Sequence, residues 1–265
     1  MTTQQAEAPT RSRTDRADLT PVPFTRLAAY EWRKQLDTRA VRWLFVIIAV
    51  LTAGVLAVMA LVGDGNVSYE QFLYNTSTPL TMLLPVVAIL ATTAEWSQRT
   101  GLTTFTLEPR RLRVVWAKLV TAVGSGLGFF VVAMAIAVVA HLAVIAYRDA
   151  DASWGLGAMT AGMLLMLVVW MAQGVAFGLA LMNTPAAIVV YLAVPTILSP
   201  LTMLVTAWEK VWPWVDLNTA SMPLIMGDSM GGQEWAQLVV TTGIWVGLPL
   251  LIGILRLQRG EIKTA

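Results

Sequence analysis

The sequence predicts an all-α membrane protein with six transmembrane helices, both termini cytoplasmic and an amphipathic interfacial helix at the N-terminus. Three observations predict it. Of the 265 residues, 57% are hydrophobic and 13% charged, where ordinary globular chains carry about 25% charge. Five long runs contain no Asp, Glu, Lys or Arg. The basic residues crowd into alternate connections between those runs. Polar surface this sparse cannot coat a soluble domain of 28.8 kDa with a mean hydropathy of +0.66. That excludes an ordinary soluble enzyme, a disordered chain and a collagen-like chain.

The charge-free runs are Trp43–Gly63, Gln71–Ala94, Leu119–Tyr147, Trp154–Trp208 and Trp235–Leu255. A helix crosses a hydrocarbon core of about 30 Å with about 20 apolar residues. The fourth run would be about 80 Å long as a single helix, so it must hold two crossings. Asn183-Thr184-Pro185 is the strong breaker near its middle. The expected spans are residues 43–62, 74–94, 119–147, 154–182, 186–208 and 235–255. A membrane barrel needs period-two alternation, and the run from Leu44 to Leu51 has none.

Before the first span, residues 1–20 are rich in Thr, Gln, Arg and Asp and are expected to be a disordered tail. The segment lacks the short apolar core of a secretory leader, so the first span is expected to stay in place as an anchor. Residues 21–42 read as the interfacial helix. Phe24, Ala28, Trp32, Leu36 and Ala40 recur every four residues, with Arg26, Arg33, Lys34 and Asp37 opposite. This helix is either an extension of the first span or a docking surface.

Lysine and arginine number eight before the first span, five in the Glu95–Lys118 loop and three in the C-terminal tail, residues 256–265. The connections on the other side hold one each at Arg148 and Lys210. The positive-inside rule then places both termini in the cytoplasm of a plasma-membrane protein. The net charge of +2 gives no ground for a nucleic-acid partner.

The chain has no cysteine and one histidine, His141. That removes thiolate chemistry, most zinc sites and His-based triads. Ser125 lies 16 positions from His141, roughly 24 Å along one helix, so the two form no catalytic pair. No Asp, Glu, Lys or Arg lies within the expected spans, which argues against ion-coupled carriers and aspartyl chemistry. His141 itself is expected at the membrane interface. The chain is read as a non-enzyme with no catalytic, cofactor or metal residues of its own.

The Glu95–Lys118 loop mixes charge with Trp96, Phe105, Leu107 and Val114. Such a surface either docks a protein or only sets topology. Pro109 suits the first turn of a helix, with Arg110, Arg111, Arg113 and Lys118 just inside the membrane. Glu95, Thr100-Gly101, the Thr- and Leu-rich stretch to Leu107, Pro109-Arg110-Arg111 and Ala117-Lys118 resemble the coupling segment of type-2 ABC exporter permeases. Arg99 departs from the pattern, since many relatives have Gly before Thr. The resemblance in topology covers residues 24 to about 258. It implies an export permease in which this loop docks into a separate ABC ATP-binding subunit, which would hold ATP and Mg²⁺. It also implies a second permease copy or homologue as partner. The chain has no GxxxxGK[ST] motif, so an ATPase would have to be another polypeptide. The apolar, uncharged spans favour a hydrophobic or amphipathic cargo. The competing reading is a membrane scaffold or sensor that transports nothing.

Pro195 and Pro200 should break or kink the fifth span, making it a candidate for a pathway-lining or moving element. Gln173 lies mid-span in the fourth, either as an interhelical hydrogen bond or as a substrate contact. Gly124-Ser-Gly-Leu-Gly128, Gly174-Val-Ala-Phe-Gly178 and Gly243-Ile-Trp-Val-Gly247 allow close helix approach within or between subunits. The 209–234 connection carries Trp212-Pro-Trp214. It reads as a segment dipping into the outer interface or as an aromatic-anchored loop.

Overall fold

The computed structural model describes residues 22–62, 68–98, 100–101, 104, 106, 108, 110–148, 153–155, 157–202 and 210–259. Every regular element among them is helical. Helix α1 spans Phe24–Asp37 and begins after Pro23. Thr38 takes an extended conformation, and α2 follows at Arg39–Val62. Helix α3, Tyr69–Ser97, opens on a reciprocal cap in which Ser68 and Gln71 satisfy each other's backbone N–H. Helix α4, Arg111–Arg148, is the longest. Helix α5 covers Ala158–Leu181 and α6 covers Thr184–Thr202. After a 3₁₀ turn at Trp212–Trp214 come the short α7, Leu217–Met226, and then α8, Gly232–Arg259.

Five helices are long and apolar enough to cross a membrane: α2, α3, α4, α5 and α8. Their outward faces are apolar, as lipid contact requires. On α2, Val50, Leu61 and Val62 are exposed, and on α4 so are Val131 and Val139. Helices α3 and α5 form the inner pair, with 67% of each apolar segment buried against 17% for α2. They approach closely because Gly174 and Gly178 have no side chain there. A Cβ at Gly174 would overlap the carbonyl of Pro85, and one at Gly178 would sit 2.8 Å from Thr92 Cβ.

The turn expected at Asn183 is present. Met182 takes the left-handed conformation that ends α5. The Asn183 side chain then accepts from the Ala186 N–H to start α6. Thr184 meets Thr93, and Tyr191 reaches Thr81 further along. So α6 runs antiparallel to α3. Gly253 packs against Leu179 near the ends of α8 and α5, while Gly162, near the start of α5, packs against Leu224 of α7. Helices α3, α5 and α8 therefore run in one direction and α4 and α6 in the other. The bundle has a basic end, at the C-termini of α3, α5 and α8. Its acidic end carries Glu70, Asp216, Asp228 and Glu234.

Several expectations change. Helix α3 starts five residues before the expected span and continues past it to Ser97, and α4 starts at Arg111 rather than 119. Ionisable groups therefore lie inside these helices, buried where they pair with each other. Helix α6 stays helical through Pro195 and Pro200, so the prolines do not break it. Its described apolar part, Thr184–Ile197, is short for a crossing, and residues 203–208 of the expected span lie outside the described residues. So do residues 1–20 and 260–265. His141, expected at the membrane interface, is fully buried within the protein, with its ring against Trp154 at 4.7 Å and near Tyr69 and Phe72.

Between α6 and α8, the expected loop contains α7. Asp216 caps its N-terminus through the Thr219 N–H at 2.8 Å, and Gly227 at φ 81° ends it. In α8, residues Gly243–Gly247 form a π-turn just before Pro249. Pro249 has no N–H to give the carbonyl of Trp245, and a widened turn accommodates the ring.

Candidate functional site

Two places gather polar chemistry in this apolar bundle, one at each end. At the basic end, four ionisable side chains from three helices form one buried cluster. Lys118 Nζ of α4 lies 2.7 Å from Glu31 Oε2 of α1 and 3.2 Å from Glu95 Oε1 of α3. Lys34 Nζ lies 3.0 Å from the same Glu95 oxygen and 3.8 Å from Glu31 Oε1. Two positive and two negative charges leave the cluster neutral, which is what tolerates its burial. The cluster is not saturated: Glu95 Oε2 and Glu31 Oε1 accept no hydrogen bond among the described residues.

The cluster joins α1 to the bundle by its polar side. Leu27, Glu31 and Gln35 are the buried residues of α1, and Gln35 Nε2 donates to Ser125 Oγ of α4 at 2.8 Å. The edge of Trp32 fills the space that a Cβ on Gly124 would need. Phe24, Trp32 and Leu36 remain more than one-third exposed. Apart from that edge of Trp32, the apolar stripe read from the sequence therefore faces mostly outward, and Lys34, read as part of the opposite face, turns inward.

The ends of the connecting loop are also tied. Arg113 donates to Glu108 Oε2 at 2.8 Å and to the Val22 carbonyl at 2.7 Å. The Arg110 N–H donates to Glu108 Oε1. Arg111 donates to the Leu257 carbonyl and Arg256 to the Ala180 carbonyl, near the C-termini of α8 and α5. Cations belong at such helix ends, where carbonyls have no helical donor.

Of the seven residues read as coupling elements, Glu95 and Lys118 are buried in the cluster and Arg111 braces α8. Arg110 is exposed, while Thr100 and Gly101 are half-buried. Pro109 lies outside the described residues.

At the acidic end, a cavity of about 370 Å³ opens between α3, α5, α6, α7 and α8. Exposed Thr78, Met82, Asn218 and Met222 form part of its lining, so it reaches the surface. Gln173 and Pro195, singled out separately in the sequence, both line it. The structure describes only the backbone of Pro200. The cavity wall owes part of its geometry to proline. Pro85 cannot donate to the carbonyl of Thr81 one turn earlier, and Tyr191 OH donates to that carbonyl instead, at 2.6 Å.

No protein family matches the chain, and no curated protein matches it either. The functional reading therefore rests on these two sites.

Glu31, Gln35 and the cavity hydroxyls are residues that sequence reasoning missed. Both groups carried a signal. Leu27, Glu31 and Gln35 are spaced four apart, and Tyr74, Ser77, Thr78 and Thr81 form one polar helical face within an apolar run. No group of three or more potential metal ligands occurs among the described residues.

Proposed function

We propose that this chain is the membrane-spanning permease subunit of an ATP-driven export system, with ATP hydrolysed by a separate subunit. The chain crosses the cytoplasmic membrane six times in this reading, with its basic end and both termini in the cytoplasm. It works with a second permease copy or a homologue. The 209–234 segment, including α7, dips into the outer interface.

The observation that carries the reading is the charge cluster at the basic end. Glu95 lies in the last turn of α3 and Lys118 about two turns into α4, so they flank the one sizeable internal basic loop. Glu31 and Lys34 tie α1 to both. A partner that pushes on the loop would therefore move three helices together. A partner can bias this movement only by binding one arrangement better than another. Exposed Arg110 and the exposed face of α1 are available for that contact. The cavity at the opposite end supplies a polar space within the same bundle.

The test is reconstitution with a P-loop ATPase that co-purifies with the tagged full chain. Vesicles should show ATP-dependent export, and Arg110→Glu should lower it while leaving the chain inserted. If a stable complex forms and ATP drives no movement of any cargo, the scaffold reading replaces this one.

A further inference from the structure

The geometry points to the acidic-end cavity as a binding site for an amphipathic organic cation: an ammonium group on a compact, flat apolar body with a hydrogen-bond acceptor. The first argument is the committed hydroxyls. Thr81 Oγ1 donates to the Ser77 carbonyl at 2.6 Å and Thr196 Oγ1 to the Leu192 carbonyl at 2.7 Å. Ser221 Oγ donates to the Asn218 carbonyl at 2.9 Å, and Tyr191 OH to that of Thr81. A hydroxyl has one proton and two lone pairs. With the proton given to the backbone, the hydroxyls of Thr81, Thr196 and Tyr191 can offer a ligand only lone pairs, while that of Ser221 is fully buried.

Charge agrees with the hydroxyls. Asp216 lines the cavity, and no lysine or arginine does among the described residues. Its Oδ2 accepts both the N–H and the hydroxyl of Thr219, which leaves Oδ1 as the free acceptor. An anion would meet this carboxylate and those lone pairs, with the amides of Gln173 and Asn218 as the donors left to oppose them. A donor-bearing cation would meet matching partners.

The body of the ligand follows from the remaining walls. Tyr74, Trp170, Tyr191 and Trp245 all line the cavity, and aromatic faces attract cations and flat apolar groups. Trp170 is 2% exposed, yet its indole N–H has no hydrogen-bond partner among the described residues. Leaving a buried donor unmet is costly, and a small turn of the ring would bring this covered N–H to an acceptor on the ligand. Beside it, the Gln173 side chain is mostly buried and also lines the space. A volume of about 370 Å³ lies at the small end of ligand sites, which run about 300–1,000 Å³.

The site needs no partner subunit. Only its description as the cargo site rests on the export reading. The test therefore uses the purified full chain alone, in detergent. Dansylcadaverine joins a primary ammonium to a flat aromatic through a sulfonamide acceptor, and its N-acetyl derivative is the neutral match. Fluorescence titration should give saturable binding of the cation, about tenfold or more tighter than the acetylated form, as a hydrogen-bonded charge supplies. D216N keeps a capping oxygen on α7 and should erase that preference. W170F should weaken both probes several-fold.

Non-saturating uptake, or equal affinity for the two probes on the wild-type chain, would overturn the proposal without recourse to any variant. So would an unchanged preference in folded D216N. Failure here leaves ATP-dependent export to be judged in the reconstituted complex, and failure of export leaves this binding intact.

Discussion

The hydroxyl of Tyr191 donates to the carbonyl of Thr81 at 2.6 Å, across the contact between α6 and α3. Pro85 leaves that carbonyl without its helical donor, and an unmet carbonyl in an apolar bundle is expensive. One helix is thus pinned to its neighbour at the neighbour's defect. Phe177 holds the Tyr191 ring from the side, edge-on with centroids 6.3 Å apart.

Removing this hydroxyl should be costly only while the proline is present. Tyr191→Phe is expected to lower stability by about 1–3 kcal/mol by stranding a buried acceptor. Pro85→Ala restores an N–H one turn from Thr81 and should remove most of that cost. Thermal unfolding of both single variants and the double variant in detergent would measure the coupling. Simple additivity would mean that the Tyr191 bond does not compensate for the proline.

The buried cluster makes a second prediction, in which one substitution should hurt more than four. Lys118→Met leaves Glu31 and Glu95 buried with only Lys34 between them, and should cost about 3–5 kcal/mol. Replacing Glu31, Lys34, Glu95 and Lys118 together by Met removes every buried charge and should be far closer to neutral. The fraction of monodisperse protein on size-exclusion chromatography, followed with temperature, would rank the two. A four-fold variant as unstable as Lys118→Met would show that the charges are not what the site must balance.

What the sequence made legible follows the membrane. Uncharged runs marked the apolar helices because a lipid-facing helix must be apolar along its length. Asn183 marked the turn because few other residues in its run could cap a helix. The cluster was harder to read because Glu31, Lys34, Glu95 and Lys118 look like ordinary solvated charges at the ends of apolar runs. Only the packing of α1 against α4 turns them inward. The outward face of Phe24, Trp32 and Leu36 shows the same limit. Periodicity found the stripe, but the identity of the buried face depended on Ser125 and Lys118, some 90 residues away in sequence. The cavity depends on five helices meeting, so its lining residues were visible singly and not as a set.

Glycines with the same spacing should respond differently to substitution. Gly174→Ala would drive a methyl into the Pro85 carbonyl, and neither backbone can retreat without separating α3 from α5. Overpacking of this kind costs about 1–3 kcal/mol. A Cβ at Gly243 or Gly247 meets nothing within 4 Å, so alanine there should shift stability by less than about 0.5 kcal/mol in the isolated chain. Unfolding midpoints in detergent would separate the two classes. A large loss at Gly247 in membranes but not in dilute detergent would place a second chain against that face.

The number of crossings can be settled by labelling, since the chain has no cysteine to give a background. Helices α5 and α8 run in the same direction, so the chain must return from the basic to the acidic end between Leu181 and Trp212, whatever the length of α6. If that return crosses the bilayer, Gln98→Cys and Gln258→Cys should react with an impermeant maleimide only when the cytoplasmic face is open. Asn218→Cys and Gln233→Cys should react only from the opposite face. All four positions are exposed, so a lack of reaction reports the membrane side rather than burial. Labelling of Asn218→Cys from the cytoplasmic side would overturn six crossings.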